Sequence, residues 1–182
     1  MAIVAIIASP RKGNSNAIAE AMAEAAKTNG KEVKFYYLNK LSNAKGCQAC
    51  NACKAKVGCV TKDDNGEILK AIRDAEGLIL TTPCYFGEAN GQFRLLQDRF
   101  YSFLEANFAS NIAPGKKLAV VVSCGGGVDA AKALADKIEG SMVKYFQFES
   151  VGKMVFTGGH PPDAASKDSK VMDEAKAIGK KL

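Results

Sequence analysis

Short, almost wholly apolar runs take turns with amphipathic stretches along the whole chain, and few folds satisfy that alternation. Ile3–Ala8, Gly77–Thr82 and Leu118–Ser123 are continuous apolar runs, Lys31–Leu38 carries EVKFYYL, and Phe146–Phe156 holds a further run. Between them, Asn16–Asn29 places Ile18 and Met22 on one face and is closed by Gly30. Asp64–Ala75 turns Ile68, Leu69 and Ile72 inward, and Gln92–Asn107 carries Phe93, Leu95, Leu96, Phe100 and Leu104 at helical spacing. Val128–Glu139 and Ala164–Lys181 complete the set of predicted helices. Strand runs apolar at successive positions suit burial on both faces, hence a parallel sheet covered by helices on each side. Five strands predict a flavodoxin-like, doubly wound α/β fold. Such folds bind ligands outside the carboxyl ends of their strands. Residues 1–182 read as one domain, with a cysteine-rich loop, 45–62, inserted after the second strand.

The composition narrows the partners. A chain of 182 residues, 47% hydrophobic, can build one full core. Its net charge of +6 arises from 25 Lys and Arg against 19 Asp and Glu, spread along the sequence. The basic C-terminal stretch (Lys167, Lys170, Lys176, Lys180, Lys181) is interleaved with Asp168, Asp173 and Glu174, the pattern of a solvated helix face. It has no aromatic interleaving, so nucleic acid is not an expected partner, whereas anionic small molecules or an acidic redox partner are. The first apolar run stops at Ser9-Pro10 without a basic leader or cleavage site, and no run approaches the roughly 20 apolar residues of a membrane span. The expectation is a cytoplasmic protein with no membrane partner. In that compartment disulfides are disfavoured, which turns cysteine clusters toward metal or redox chemistry.

Three strand-end loops carry unusual residues. Ser9-Pro10-Arg11-Lys12-Gly13-Asn14-Ser15-Asn16 joins the first strand to a helix. Hydroxyls, amides, a guanidinium and helix-start N–H groups suit a phosphate, with Ser15 or Asn14 doubling as helix cap. A Walker loop is absent. Thr82-Pro83-Cys84-Tyr85-Phe86-Gly87 follows the third strand, and Ser123-Cys124-Gly125-Gly126-Gly127 the fourth. The latter also fits G-x-G-x-x-A through Gly125, Gly127 and Ala130, a weak match because dinucleotide fingerprints normally follow the first strand. Cys84 and Cys124 read as small buried residues. His160, the only histidine, is assigned no role, and Asp98-Arg99 reads as an ion-pair tie between helix and loop.

The remaining four of the six cysteines, Cys47, Cys50, Cys53 and Cys59, follow C-x2-C-x2-C-x5-C. Thiols crowded on one loop need a common partner, and a metal centre is the natural one. Three readings stand side by side: an iron–sulfur cluster, tetrahedral zinc, and thiols retained without metal. Zinc favours two separated C-x2-C knuckles over consecutive links. Lys45, Lys54, Lys56 and Lys62 are expected to offset the charge of a four-thiolate cluster.

The ASPRKGNSN loop resembles the phosphate loop of the NAD(P)H-dependent FMN reductases, and the cysteine segment resembles that of the iron–sulfur flavoproteins in that superfamily. The likeness continues through TPCYFG at 82–87 and through GQFR at 91–94 with Asp98-Arg99-Phe100. The sequence departs at Ala8 (usually Gly), Cys84 (usually Val or Ile) and Arg94 (usually Lys). The resemblance implies FMN, its phosphate held by Ser9, Arg11, Asn14, Ser15 and Asn16. Its ring is bordered by Pro83, Cys84, Tyr85, Phe86 and Gly87 and met by Ser123, Gly125 and Gly126. It further implies a [4Fe–4S] cluster on the four loop cysteines, NAD(P)H or a ferredoxin as electron donor, a small-molecule acceptor, and a homodimer or homotetramer. No catalytic side chain is required, because the flavin carries the chemistry. The rival reading is a non-enzymatic, flavodoxin-like electron carrier.

Overall fold

A computed structural model describes residues 2–158 and 161–182, so His160 lies outside the described residues. The elements run β1 (Ala2–Ile7), α1 (Asn14–Thr28), β2 (Glu32–Tyr37), α2 (Asp64–Asp74), β3 (Gly77–Tyr85), β4 (Glu88–Ala89) and α3 (Gly91–Gln97). A 3-10 segment (Asp98–Phe103) follows, then β5 (Lys117–Cys124), α4 (Val128–Phe146), β6 (Glu149–Thr157), α5 (Ala164–Lys167) and α6 (Ser169–Gly179). The sheet order is β2-β1-β3-β5-β6, all parallel, which is the flavodoxin-like order. The two-residue β4 pairs antiparallel with the end of β3, an addition to the five expected strands.

Strand alternation sorts the core into two layers. Ile3, Ala5 and Ile7 of β1, with Ile79, Ala119 and Val121, face Ile18, Met22 and Ile178 of α1 and α6. Val4, Ile6, Leu78, Leu80, Val120 and Val122 face the other way, onto Ile68 and Ile72 of α2, Phe93 and Leu96 of α3, and Leu134 and Met142 of α4. The layer holding α1 and α6 is tight at Gly179, where a Cβ would come within 2.2 Å of the Met22 carbonyl oxygen. Only glycine lets the two helices approach so closely.

Three predicted helices differ from the fold. The helix expected over Gln92–Asn107 is α-helical only to Gln97; it tightens into the 3-10 segment and ends at Phe103. The helix expected to stop at Glu139 runs through Gly140 to Phe146, because burial of Met142 and Phe146 outweighs the ~1 kcal/mol that a helical glycine costs. The helix expected over Ala164–Lys181 is broken at Asp168, whose side chain accepts from the N–H groups of Lys170 (3.0 Å) and Val171 (3.3 Å) and restarts the chain as α6.

Candidate functional site

The loops after β1, β3 and β5 meet at the carboxyl edge of the sheet, where the strand order reverses between β1 and β3. They enclose a cavity of about 160 Å3 whose lining includes Ser9, Arg11, Asn14 and Ser15 from the first loop and Pro83, Cys84 and Tyr85 from the second. Ser123, Cys124 and Gly125 complete it from the third loop, and Phe156 from β6.

The residues expected on the phosphate side are not all placed alike. The N-cap of α1 is Gly13, with no side-chain cap, and its first turn contains no acidic residue. This corrects the expectation that Ser15 or Asn14 caps the helix. The first helical bond runs from Ala17 N–H to Gly13 O, so the N–H groups ahead of it point out of the helix end, where the dipole favours an anion. Arg11 stands exposed at the rim. Ser9 Oγ donates to Arg11 O at 2.8 Å and holds the loop in its turn. The Asn14 side chain is engaged elsewhere: Nδ2 donates to Pro161 O (3.1 Å) and Oδ1 accepts from Ala165 N–H (2.9 Å). Asn14 therefore ties the C-terminal segment to α1 while also lining the cleft. Asn16 lies outside the lining, buried, with Oδ1 lacking a partner among the described residues.

On the ring side, Pro83, Cys84, Tyr85 and Phe156 provide a wall of low polarity. Phe86 and Gly87 do not line the cavity. They form the two-residue turn between Tyr85 and Glu88, at φ 53° and 83°, the left-handed pair that a tight hairpin demands. That turn leaves the Phe86 ring fully exposed. Gly126 also lies outside the lining. Phe156 was not anticipated, and its signal lay in register: it pairs with Ser123 at the end of the neighbouring strand.

A buried amide holds the first two loops together. Asn90 Nδ2 donates to Ala8 O at 2.7 Å, while its Oδ1 accepts from Phe93 N–H (3.3 Å) and from Thr82 Oγ1 (3.1 Å). The same side chain thus caps α3 and fixes the end of β1 against β3. Asn90→Ala is expected to lower the unfolding free energy by about 1–3 kcal/mol, because a cap is lost and buried partners go unsatisfied. Urea denaturation checks this, and a change within a few tenths of a kcal/mol would contradict the tie.

The cysteine loop has its own pocket. Cys47, Cys50, Cys53 and Cys59 line one small cavity together with Thr61, Arg99 and Tyr101, and no residue lines both this cavity and the cleft. Arg99 is the hub beneath it. Its guanidinium and the Asp63 carboxylate have no solvent-exposed side-chain surface and pair at 2.8 Å. Nε donates to Cys59 Sγ (3.2 Å), Nη1 also to Lys45 O (3.0 Å), and Nη2 to Thr61 O (3.3 Å). One side chain therefore grips both ends of the loop; of the Asp98-Arg99 pair expected to tie helix to loop, Arg99 makes the ion pair, with Asp63. Burial alone pushes the Cys59 thiol up, but hydrogen bonds from Thr61 and Arg99, with the arginine's charge, bring it below its ordinary value. Burial likewise raises the Asp63 carboxyl, and the Arg99 and Lys45 hydrogen bonds reverse the sign and hold it low.

The lysine expectation needs correction at Lys54. Its ammonium donates to Tyr101 O (2.8 Å) and Leu104 O (2.6 Å) and sits over the Tyr101 ring, so it ends the 3-10 segment instead of facing the thiols. Arg99 is the cation that touches a thiol.

The residues fit both groups that the resemblance implied. An uncapped helix start with a rim arginine suits a phosphate, and the adjoining apolar wall suits a flat ring. Four thiols lining one pocket, one of them held toward thiolate by a guanidinium, suit a soft metal centre by donor chemistry. Among the described residues, no three His, Cys, Asp or Glu side chains stand in a metal-holding arrangement, so the loop must draw in to close such a site.

The sequence matches the NADPH-dependent FMN reductase family over residues 1–161. The chain belongs to that family. It is an FMN-dependent oxidoreductase. An iron–sulfur flavoprotein of Methanosarcina thermophila is 33% identical over 186 residues, an alignment spanning 100% of this chain and 93% of that one. A second iron–sulfur flavoprotein, from Methanocaldococcus jannaschii, is 31% identical over 166 residues, 90% of this chain and 79% of its own. Among solved structures, an NAD(P)H:quinone oxidoreductase from Methanothermobacter marburgensis superposes with a TM-score of 0.79 at 19% identity, covering 100% of this chain and 96% of that one. A flavodoxin from the domain Archaea superposes with a TM-score of 0.61 at 15% identity, covering 100% and 95%. These structural likenesses show the same fold for this family member. The family assignment decides for an oxidoreductase over the carrier reading. No helix among the described residues is long and apolar enough to cross a membrane.

Proposed function

We propose that this chain passes electrons from NAD(P)H or a reduced ferredoxin to a small oxidant such as a quinone or free flavin, through FMN in the sheet-edge cleft. In this reading, a [4Fe–4S] cluster on Cys47, Cys50, Cys53 and Cys59 is the second redox centre. The observation that carries it is the shared thiol pocket seated on Arg99, together with a separate cleft suited to a phosphate and a flat ring. The names of the relatives support the same assignment, since both are iron–sulfur flavoproteins.

Bound FMN supplies the one- and two-electron chemistry, and the protein supplies placement. The N–H groups entering α1 and the Arg11 guanidinium would hold the phosphate. Pro83, Cys84, Tyr85 and Phe156 would shield one side of the ring from water, and the Gly125 backbone would border its edge. Arg99 holds the Cys59 sulfur toward its ligating, deprotonated form and places a buried positive charge under the thiolates.

The reading includes assembly as a homodimer or homotetramer and residence in the cytoplasm. Within one chain the two sites share no wall, so a neighbouring copy can bring its thiols to this chain's cleft. An apolar groove of about 500 Å3, lined in part by Phe100, Leu104, Phe108 and Tyr145, supports such an assembly. A reducing compartment suits the unpaired cysteines.

The test is an absorbance spectrum of anaerobically purified protein, with iron and acid-labile sulfide assayed alongside. The expected result is flavin bands over a broad blue–violet absorption, with roughly four irons per chain. Cys50→Ser is expected to lose the iron and keep the FMN. Flavin without iron after anaerobic reconstitution overturns the cluster, and one zinc per chain replaces it with the tetrahedral alternative.

A further inference from the structure

The two cysteines outside the loop occupy neighbouring strands. β3 and β5 run parallel in register, Thr82 opposite Val122 and Pro83 opposite Ser123. The next residues on each strand are Cys84 and Cys124. Residues in register on adjacent strands share a face of the sheet, and the strands lie about 4.8 Å apart. Disulfides need Cα separations of about 4.4–6.8 Å, a range that includes the usual spacing of neighbouring strands. Both residues line the cleft. Cys84 is buried, and Cys124 is partly exposed and packs against the same core layer. Burial raises the Cys84 thiol, and the Cys124 side chain beside it pushes the same way, by charge and by hydrogen bonding. At present the Cys124 thiol donates to the Gly126 carbonyl oxygen, one turn of the loop away. The four loop cysteines line a different cavity and are not rivals for either partner.

We propose that Cys84 and Cys124 form a reversible intrachain disulfide in the wall of the cleft, made and broken by exchange with a small-molecule disulfide of the glutathione type. Cys124 is the entry point, since it is the more accessible thiol. Its thiolate attacks one sulfur of the small disulfide, an S–S bond breaks, and the departing thiolate takes up the proton that Cys124 gave. The buried Cys84 then gives up its proton and attacks the Cys124 sulfur, which expels the second small thiolate to receive that proton. Two protein thiols are oxidised to one disulfide, and one small disulfide is reduced to two thiols. Electrons and protons balance without a further reactant. The consequence is a cleft wall whose chemistry follows the thiol redox poise. This inference goes beyond the electron-transfer reading and does not require it, because the pair is defined by its place at the ends of β3 and β5, where both residues line the cleft.

The purified protein is equilibrated in mixtures of oxidised and reduced glutathione, acid-quenched, alkylated and mapped by peptide mass spectrometry. As the poise becomes oxidising, Cys84 and Cys124 should lose alkylation together and appear as one cross-linked peptide. Cys84→Ser should leave Cys124 carrying glutathione, and Cys124→Ser should slow modification of Cys84 by roughly tenfold or more, since the entry thiol is gone. The wild-type map decides by itself if either variant fails to fold. Both thiols alkylated at every poise, glutathione on Cys124 with Cys84 still alkylatable, or a cross-link from either residue to the cysteine loop would each overturn the pair. The readout is a covalent mass on two named peptides, so it stands apart from the outcome of the cofactor assays.

Discussion

Arg99→Met should lower the unfolding free energy by about 3–5 kcal/mol, because it strands the buried Asp63 carboxylate without its guanidinium. The methionine fills much of the space, so the loss reports charge and hydrogen bonding more than a cavity. It should also be uneven. The guanidinium holds Lys45, Cys59 and Thr61 as well as Asp63, so amide exchange across residues 45–63 should quicken more than exchange in β1 or β5. The pH dependence carries a second signature. Asp63 is held below its ordinary value in the folded protein. Its pairing therefore contributes fully above the unfolded carboxyl value of about 3.9 and is lost as pH falls through the depressed folded value. The stability gap between wild type and variant should be constant near neutrality and narrow only in acid. Denaturant melts at neutral and acid pH check both points, and a gap under about 1 kcal/mol at neutral pH, the range of exposed pairs, would refute the buried tether.

Arg11→Ala should weaken FMN binding by about 10–100-fold, the worth of a charge-assisted hydrogen bond to a phosphate. Arg11 is exposed and makes no packing contribution that would unfold the chain, so stability should change by no more than about 0.5 kcal/mol. Riboflavin, which lacks the phosphate, provides the control. Its affinity should be the same in wild type and variant, so the two ligands converge in affinity when the arginine is removed. Flavin fluorescence titrations measure all four constants. Equal losses for FMN and riboflavin would place Arg11 against the ring instead of the phosphate.

The parallel sheet was legible because each buried strand is apolar at successive positions, and the two layers seen in β1, with Ile3, Ala5 and Ile7 on one side and Val4 and Ile6 on the other, follow from that. The clefted edge was legible too, since the strand-end loops carry glycine, proline and hydroxyls where a core needs none. What escaped was decided by tertiary contact. The helical period persists past Gln97, yet the backbone tightens at Asp98, in the segment that carries Arg99 to the loop below. Gly140 resembles a stop signal and is overruled by Met142 and Phe146. Asn14 offers the right chemistry for a phosphate, and its side chain is taken by a carbonyl and an amide far along the chain. Lys54 is drawn away from the thiols for a similar reason, since a helix end claims its ammonium, and a hairpin turn carries Phe86 out of the cavity lining. Side-chain identity is local, but its availability depends on which distant backbone groups lack a partner.

The contact at Gly179 reaches further than helix packing. With its α-carbon pressed on the Met22 carbonyl, the last helix behaves as a rigid strut braced against the first. The same first helix is pinned at its other end by Asn14, which clasps Pro161 and Ala165 just upstream of that strut. A bulkier residue at 179 would lever α1 lengthwise and shift the anion-facing amides at its start, far from the altered atom.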